Sequence, residues 1–339
     1  MKPHGLEDAA VPPRVSVVVL TYNRREELIR NLRRLAANAP GTPIIVVDNG
    51  SRDGTAGAVA AAFPAVRVVC APGNLGAAGR NLGVAAAETP YVAFCDDDTC
   101  WEPGALDEAA RLLDAAPRAA LINACVRVGP DGRTDPTCEI MARSPLGPGP
   151  EGTMRLLGFM AGACVFRRDA FLAAGGYEPR FFIGGEETLL ALDLAAAGWD
   201  MLYAGHIHTW HWPSPQRDRP GRVRLLGRNA IWAAWLRLPL RAAARETLAV
   251  LDAARRQGAA WRVAMDALAG ARWVWRNRRP IPAETEAQRL LVARGPAATG
   301  APPSMGAHAE PPSGQAAAGN AAVPGAPLMM GTQGDHTHP

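Results

Sequence analysis

Residues 14–23, RVSVVVLTYN, form a β-branched apolar run of strand length. The segment after it, REELIRNLRRLAAN, places Leu28, Ile29, Leu32 and Leu35 at helical intervals and closes at Pro40. PIIVVDNGSRDGT predicts a second strand ending in turn-forming residues, AGAVAAAF a short helix and VRVVC a third strand. NLGAAGRNLGVAAAE reads as a glycine-punctuated helix and YVAFCDDD as a fourth strand. Alternation at this spacing predicts an α/β fold whose mostly parallel sheet is covered on both faces. Ligands on such sheets bind at the carboxyl ends of the strands, where TYN, DNGS and DDD would all lie.

Farther on, residues 104–116 predict a helix and 119–128 a strand. Pro130 to Gly152, rich in proline and glycine, is expected to be a mobile loop. FMAGACVFRRDAFLAAGGY predicts a strand and a helix. The loop EPRFFIGG, the helix EETLLALDLAAAGW and a strand around MLYAG come next. Helical sequence rich in arginine and tryptophan runs from about Arg222 to Arg278. From Pro296 the chain is Ala, Gly, Pro and Ser with little apolar bulk, the composition of a disordered tail.

With 339 residues, 48% of them hydrophobic, a sizeable core can be buried. No stretch approaches eighteen consecutive apolar residues, and MKPHGLEDAAVPPR lacks the apolar region of a secretory signal, so the expected location is cytoplasmic. The six cysteines are scattered without a CxxC pair, which favours reduced thiols over a disulfide frame or a zinc site. A net charge of +4 is too mild to imply a nucleic-acid partner. Lys2 is the only lysine, and with the alanine richness this looks like a GC-rich genome. The charge is uneven: residues 221–280 hold 13 arginines against 3 acids. Trp232, Trp235, Trp261, Trp273 and Trp275 share that region, which suits either a helical cap on the main domain or a peripheral membrane contact at the inner face of the cell membrane.

FCDDDTC stacks Asp96, Asp97 and Asp98 at the end of a buried strand, either as a solvated acidic turn or around a divalent cation. An EF-hand is excluded by the missing glycine and downstream bidentate glutamate. In extended chain residues i and i+2 share a face, which pairs Asp96 with Asp98. DNGSRDGT reads as a turn tipped by Asp53-Gly54. Gly76, Gly79 and Gly83 would allow close backbone approach, and Arg80 among them can reach a phosphate. Glu186 and Glu187 open a helix after the flexible IGG, where acids complement the dipole. HIHTWHWPSP holds three histidines, but no Cys or carboxylate lies nearby at zinc-finger spacing.

Taken in order, SVVVLTYNR, VVDNGSRDGT, NLGAAGRNLGV, FCDDD, GACVFRRDAFLAAGGY and GGEETLLALDLAAAGW resemble the family 2 glycosyltransferases with the GT-A fold, over about residues 14 to 215. The resemblance is to bacterial, rhamnosyltransferase-like enzymes of surface-glycan assembly. It implies a flexible N-terminus over 1–13, a catalytic domain over 14–220, a helical extension over 221–295 and a disordered tail over 296–339. By the same resemblance the family's Asp-x-Asp metal motif maps to Asp96 and Asp98, with Asp97 nearer the sugar, and His211 is a further ligand of Mg²⁺ or Mn²⁺. Asp48 would read a uracil-like base, with Thr21, Tyr22 and Asn23 walling it; Gly76, Arg80 and Asn81 would lie over the donor, and Arg217 is a weaker phosphate candidate. The general base is expected at Glu187, beside Glu186, where the family usually carries aspartate.

The implied reaction is inverting transfer from a UDP- or dTDP-sugar to a hydroxyl on a glycan, a lipid-linked carrier or a small molecule. A sugar nucleotidyltransferase or a dinucleotide-binding dehydrogenase would want glycines just after the first strand, where this chain has TYNRREE. A non-catalytic nucleotide-sugar-binding or scaffold protein on the same fold is the alternative. Its support is Glu187 in place of aspartate and Leu189 where many relatives carry a further acid.

Overall fold

The computed structural model describes residues 12–213 and 220–295. The expected tail from Pro296, the first eleven residues and Arg217 with the PSPQRD loop around it lie outside, apart from Trp212 and Pro213 at that loop's edge. In chain order the first half comprises β1 (Val15–Thr21), α1 (Arg25–Asn38), β2 (Ile44–Asp48), α2 (Thr55–Ala62), β3 (Arg67–Cys70), α3 (Gly79–Ala86), β4 (Tyr91–Asp96), β5 (Thr99–Trp101) and α4 (Ala105–Ala115). Then come β6 (Ala119–Val128), β7 (Arg133–Thr134), α5 (Pro136–Ala142), β8 (Met154–Leu156), β9 (Cys164–Arg167), α6 (Arg168–Ala173), α7 (Glu186–Ala196) and β10 (Asp200–His211). Helices α8 (Pro220–Arg237), α9 (Leu240–Arg256), α10 (Ala260–Ala269), α11 (Ala271–Arg276) and α12 (Ala283–Arg294) complete the described chain.

The sheet runs β3-β2-β1-β4-β9-β6-β10-β5, with β7 against β6 and β8 against β10. The first four strands are all parallel, as their alternation with helices requires. β9 then runs antiparallel to both β4 and β6, so the second half is mixed. Every residue of β1 is buried, which explains its unbroken apolar run. Val17 and Val19 join the cluster of Leu28, Leu32 and Leu35 from α1, while Val18 and Leu20 join Phe94, Phe166, Phe171 and Tyr177 on the other face. Gly83 is needed here because a Cβ on it would lie 2.4 Å from Val18 Cγ1.

Two expectations change. The segment 130–152 is not a featureless loop: it contains β7 and the short helix α5. Asp135 caps α5 by accepting from the Thr137 amide at 2.8 Å, Pro136 starts it, and Cys138 and Met141 anchor it in the core. The strand expected around MLYAG extends to His211, with a register shift against β6 between Ala204 and His208. That irregularity hid the second half of the strand from any period-two reading.

Candidate active site

Strand register brings the sequence motifs to one edge. Thr21 lies opposite Asp48, and Leu20 opposite Asp96, so β1, β2 and β4 end level with one another. β4 stops at Asp96, and Asp97 and Asp98 form the turn into β5. Asn31 of α1 holds that turn, its amide donating to the Asp96 and Thr99 carbonyls at 3.1 and 2.5 Å. Thr99 Oγ1 accepts from the Asp96 amide at 2.7 Å.

Because the chain is turned here rather than extended, Asp96 and Asp98 do not share a face. The Asp96 carboxylate is buried against the Arg80 guanidinium, which donates to it. Asp97 and Asp98 instead share the Arg24 guanidinium at 2.7 and 3.3 Å. Thr21 Oγ1 donates to Asp97 at 3.0 Å, so Thr21 serves the acidic turn rather than walling a base. Burial, then the adjacent Asp98 charge, pushes Asp97 up to about 7.

His211 reaches the turn through β10. It pairs with Thr99 across the antiparallel β5–β10 ladder, and the next residue, Trp212, donates its amide to the Asp98 carbonyl at 2.9 Å. This register sets His211 Nε2 3.7 Å from Asp98 Oδ1. His206 and His208 are occupied elsewhere, His206 near Glu108 and His208 between Glu102 and Arg127. Among the described residues no three Asp, Glu, His or Cys side chains converge closely enough to hold a metal on their own. Asp98 and His211 do fit one: a carboxylate oxygen and an imidazole nitrogen face each other at the acidic turn.

The nucleotide side is built on β2. Asp48 is buried and accepts from the Ser51 amide at 2.9 Å, as the turn reading of DNGS requires. Asn23, in left-handed backbone at φ 52, accepts from the Arg52 amide and donates its own amide to Ser51 Oγ, both at 2.8 Å. Tyr22 beside it is half-buried. Asn81 spends both ends of its amide on the Tyr177 backbone, at 2.8 and 2.9 Å, so it braces the Gly176 turn instead of offering its side chain to a donor.

Glu186 and Glu187 open α7 after Gly185, whose φ of 89° suits glycine. Glu186 is buried, and burial followed by the Glu187 charge lifts its carboxyl far above the usual range. Glu187 is half-buried, and desolvation raises it as well. Within the pair Glu186 is the side favoured to keep the proton, since burial and the adjacent Glu187 charge raise it the more strongly. Among the described residues, Glu186 Oε2, Tyr177 Oη and Arg80 Nε are buried without hydrogen-bond partners. Unpaired buried groups each cost about 1–3 kcal/mol, and their concentration here marks a site rather than a core.

Three contributors were not legible as site residues. Arg24 looked like one helix-start arginine among several. Asn49 is fully buried and cross-links the two loops, donating to Asn74 Oδ1 and the Gly76 carbonyl and accepting from Leu75, each at 3.0 Å. Asn229 of α8 donates to the carbonyls of Phe181, Ile183 and Gly184 at 2.7, 3.1 and 2.5 Å, fixing the loop that leads to Glu187. Its only signal was an asparagine on an otherwise apolar helix face.

The comparisons with known proteins agree with this arrangement. The family model for glycosyl transferase family 2 matches residues 16–173. The N-acetylglucosaminyl-diphospho-decaprenol L-rhamnosyltransferase of Mycobacterium tuberculosis is 30% identical over 280 residues, covering 69% of this chain and 90% of that protein. Among solved structures, GalNAc-T7 with UDP, GalNAc and Mn²⁺ matches with a TM-score of 0.54 at 14% identity, over 67% of this chain and 48% of that one. The chain thus spans about half of GalNAc-T7, and the likeness is one of fold. The mannosyltransferase PcManGT from Pyrobaculum calidifontis, in complex with GDP-Man and Mn²⁺, matches with a TM-score of 0.50 at 18% identity, covering 84% and 86% of the two chains. With the motifs at one sheet edge and a rhamnosyltransferase aligned along most of its length, the chain belongs to the family 2 glycosyltransferases and has their GT-A fold.

Proposed function

We propose that the protein catalyses metal-dependent, inverting transfer of a sugar from a UDP- or dTDP-sugar to a hydroxyl of a lipid-diphosphate-linked acceptor in cell-surface glycan assembly. The observation that carries this reading is the pairing of Asp98 with His211 at the strand ends that also present Asp48. A divalent Mg²⁺ or Mn²⁺ bound by Asp98 and His211 would supply Lewis-acid stabilisation for the departing diphosphate. Both structural neighbours above are Mn²⁺ complexes, which supports the choice of ion. The lipid-linked acceptor is supported by the name of the mycobacterial relative.

The chain's own groups perform the rest. Asp48 accepts from the imide N–H of uracil or thymine, which cytosine lacks. Arg24 holds Asp97 and Asp98 in place until the donor arrives, and Arg80 anchors Asp96. Glu187 takes the acceptor hydroxyl proton while that oxygen attacks the anomeric carbon. The new carbon–oxygen bond forms on the face opposite the breaking bond to phosphate, hence inversion. Glu186 keeps its own proton, leaving Glu187 as the ionised partner. A glutamate at this position is chemically competent, and its extra methylene lengthens the reach.

Titration calorimetry of UDP, dTDP and GDP, with and without Mn²⁺, on wild type and Asp98→Ala tests the reading. Binding of UDP or dTDP that requires both Mn²⁺ and Asp98 is expected. Absence of nucleotide binding by the folded protein overturns it. Donor binding without turnover on any lipid-linked acceptor supports the scaffold alternative.

A further inference from the structure

The tryptophans of the C-terminal helices fall into two sets. Trp232 and Trp273 turn inward, their rings edge to face at 5.4 Å, and Trp232 also packs on Phe181 with centroids 6.1 Å apart. The Trp232 indole donates to the Ala267 carbonyl at 2.9 Å. These rings cap the main domain. Trp261 and Trp275 do the reverse: they are 75% and 66% exposed, with Met265 at 45% and Leu268 at 65% between them.

Positions 261, 265, 268, 272 and 275 advance by alternating steps of four and three, which keeps them on one stripe of α10 and α11. Val263, Ala267 and Val274 hold the buried side of the same helices. The fifth member of the stripe is Arg272. From Ala253 to Ala283 the chain has seven arginines and one acid, Asp266, and that acid is bridged by Arg224. Arg262, Arg272, Arg276 and Arg279 are all exposed.

Two bare indoles flanked by Met and Leu are a costly thing to leave in water, and nothing in the described chain covers them. Large aromatic and apolar tips interleaved with long cationic side chains are what the headgroup layer of an anionic bilayer accommodates: the rings sit at the acyl boundary and the guanidiniums snorkel to phosphate. An acidic protein surface would match the arginines but would leave the stripe unsatisfied. Among the described residues no helix is long and apolar enough to cross a membrane, so the contact is of the peripheral kind.

We propose that the α10–α11 face, with Trp261 and Trp275 as its anchors, docks the protein on an anionic lipid bilayer. The inference goes beyond the transferase reading and does not depend on the acceptor's identity. Docking by this face would set the membrane against helices whose inner side packs, through Trp273, Trp232 and Phe181, on the loop that positions Glu187.

The full-length chain is sedimented with phosphatidylcholine vesicles, with or without roughly one third phosphatidylglycerol. Binding to the anionic vesicles, with a blue shift of tryptophan emission, is expected. Trp261→Ser/Trp275→Ser should weaken it by about tenfold or more, and Arg262→Glu/Arg272→Glu/Arg276→Glu should abolish it. Circular dichroism and nucleotide calorimetry on the same samples should be unchanged, which separates failure of docking from failure of the transferase reading. Lack of binding to anionic vesicles overturns the proposal. So does binding that survives loss of both tryptophans, which would be adsorption of arginines alone. A wild-type dimer in sedimentation velocity that Trp261→Ser/Trp275→Ser dissociates would also overturn it, by making a second copy the occupant.

Discussion

Asn229 donates its side-chain amide to the Gly184 carbonyl at 2.5 Å, joining helix α8 to the loop immediately before the paired glutamates. The same amide serves Phe181 and Ile183, so one side chain satisfies three carbonyls of a turn that contains Phe182 at a positive φ of 61°. Asn229→Leu should lower stability by about 1–3 kcal/mol in urea melts. Transfer should fall by more than tenfold while UDP affinity in calorimetry stays within about twofold. Equal losses of donor binding and turnover would show that the loop is not what the asparagine positions.

Removing the Arg24 guanidinium takes from the adjacent, buried Asp97 and Asp98 the cation they share. Arg24→Ala should cost about 3–5 kcal/mol without metal, the usual effect of breaking one side of a buried pair. Mn²⁺ should raise the melting temperature of this variant more than that of wild type, because the ion replaces the lost charge. An identical Mn²⁺ response in both proteins would place the ion elsewhere.

Glu187→Gln should reduce transfer by about 10²-fold or more with donor affinity retained, and Glu187→Asp should keep a measurable fraction. Since desolvation raises Glu187, the acid limb of the wild-type kcat/KM profile should lie above the ordinary carboxylate range. A limb at ordinary glutamate values, or full activity in Glu187→Gln, would move the base to another residue.

Glu186 gives a stability signature of defined sign. Its folded carboxyl titrates above its unfolded one, so the folded state holds the extra proton between the two values. Its contribution is therefore complete below about pH 4.5 and is lost as pH rises through that window. Glu186→Gln, neutral at every pH, should melt higher than wild type under alkaline conditions. The gap should shrink toward acid by no more than about 1.4 kcal/mol per pH unit. Scanning fluorimetry across that range reads it directly, and a gap that widens toward acid would reverse the assignment.

Gly76 has φ +59 and meets Phe182, where an added Cβ would lie 1.9 Å from the carbonyl oxygen. The Ala77 amide donates to that same oxygen at 2.6 Å, so donor-side and acceptor-side loops touch at this point. Gly76→Ala should destabilise by at least about 1–3 kcal/mol, from the backbone conformation alone. Chemical denaturation with unchanged stability would mean the two loops part without cost.

Much of the donor half was legible because its physics is local. Strand patterns placed Asp48 and Asp96 at carboxyl ends, and the parallel register then brought them level on either side of β1. The family resemblance singles out His211, but its contact with Asp98 depends on β10 continuing through an irregularity that periodicity does not show. Asp96 and Asp98 were paired on the premise of extended chain, and a turn held by Asn31 and Thr99 separates them. Arg24, Asn49 and Asn229 act through distant backbone or side chains, and a linear sequence carries no mark of which polar residue will find such a partner. The same holds for Asn81, whose motif position suggested the donor but whose amide is used by Tyr177.

The β5–β10 pairing also orders events during synthesis. It closes a loop of roughly a hundred residues, the kind of non-local contact that pays its entropy late in folding. A nascent chain that has emerged only through β9 already contains the three aspartates, Arg24 and Arg80, yet lacks the imidazole. The acidic turn is thus assembled around its arginines first, and the imidazole of the proposed metal site arrives last. A half-made enzyme on the ribosome would accordingly be a poor trap for divalent cations, and competence for metal would coincide with completion of the fold.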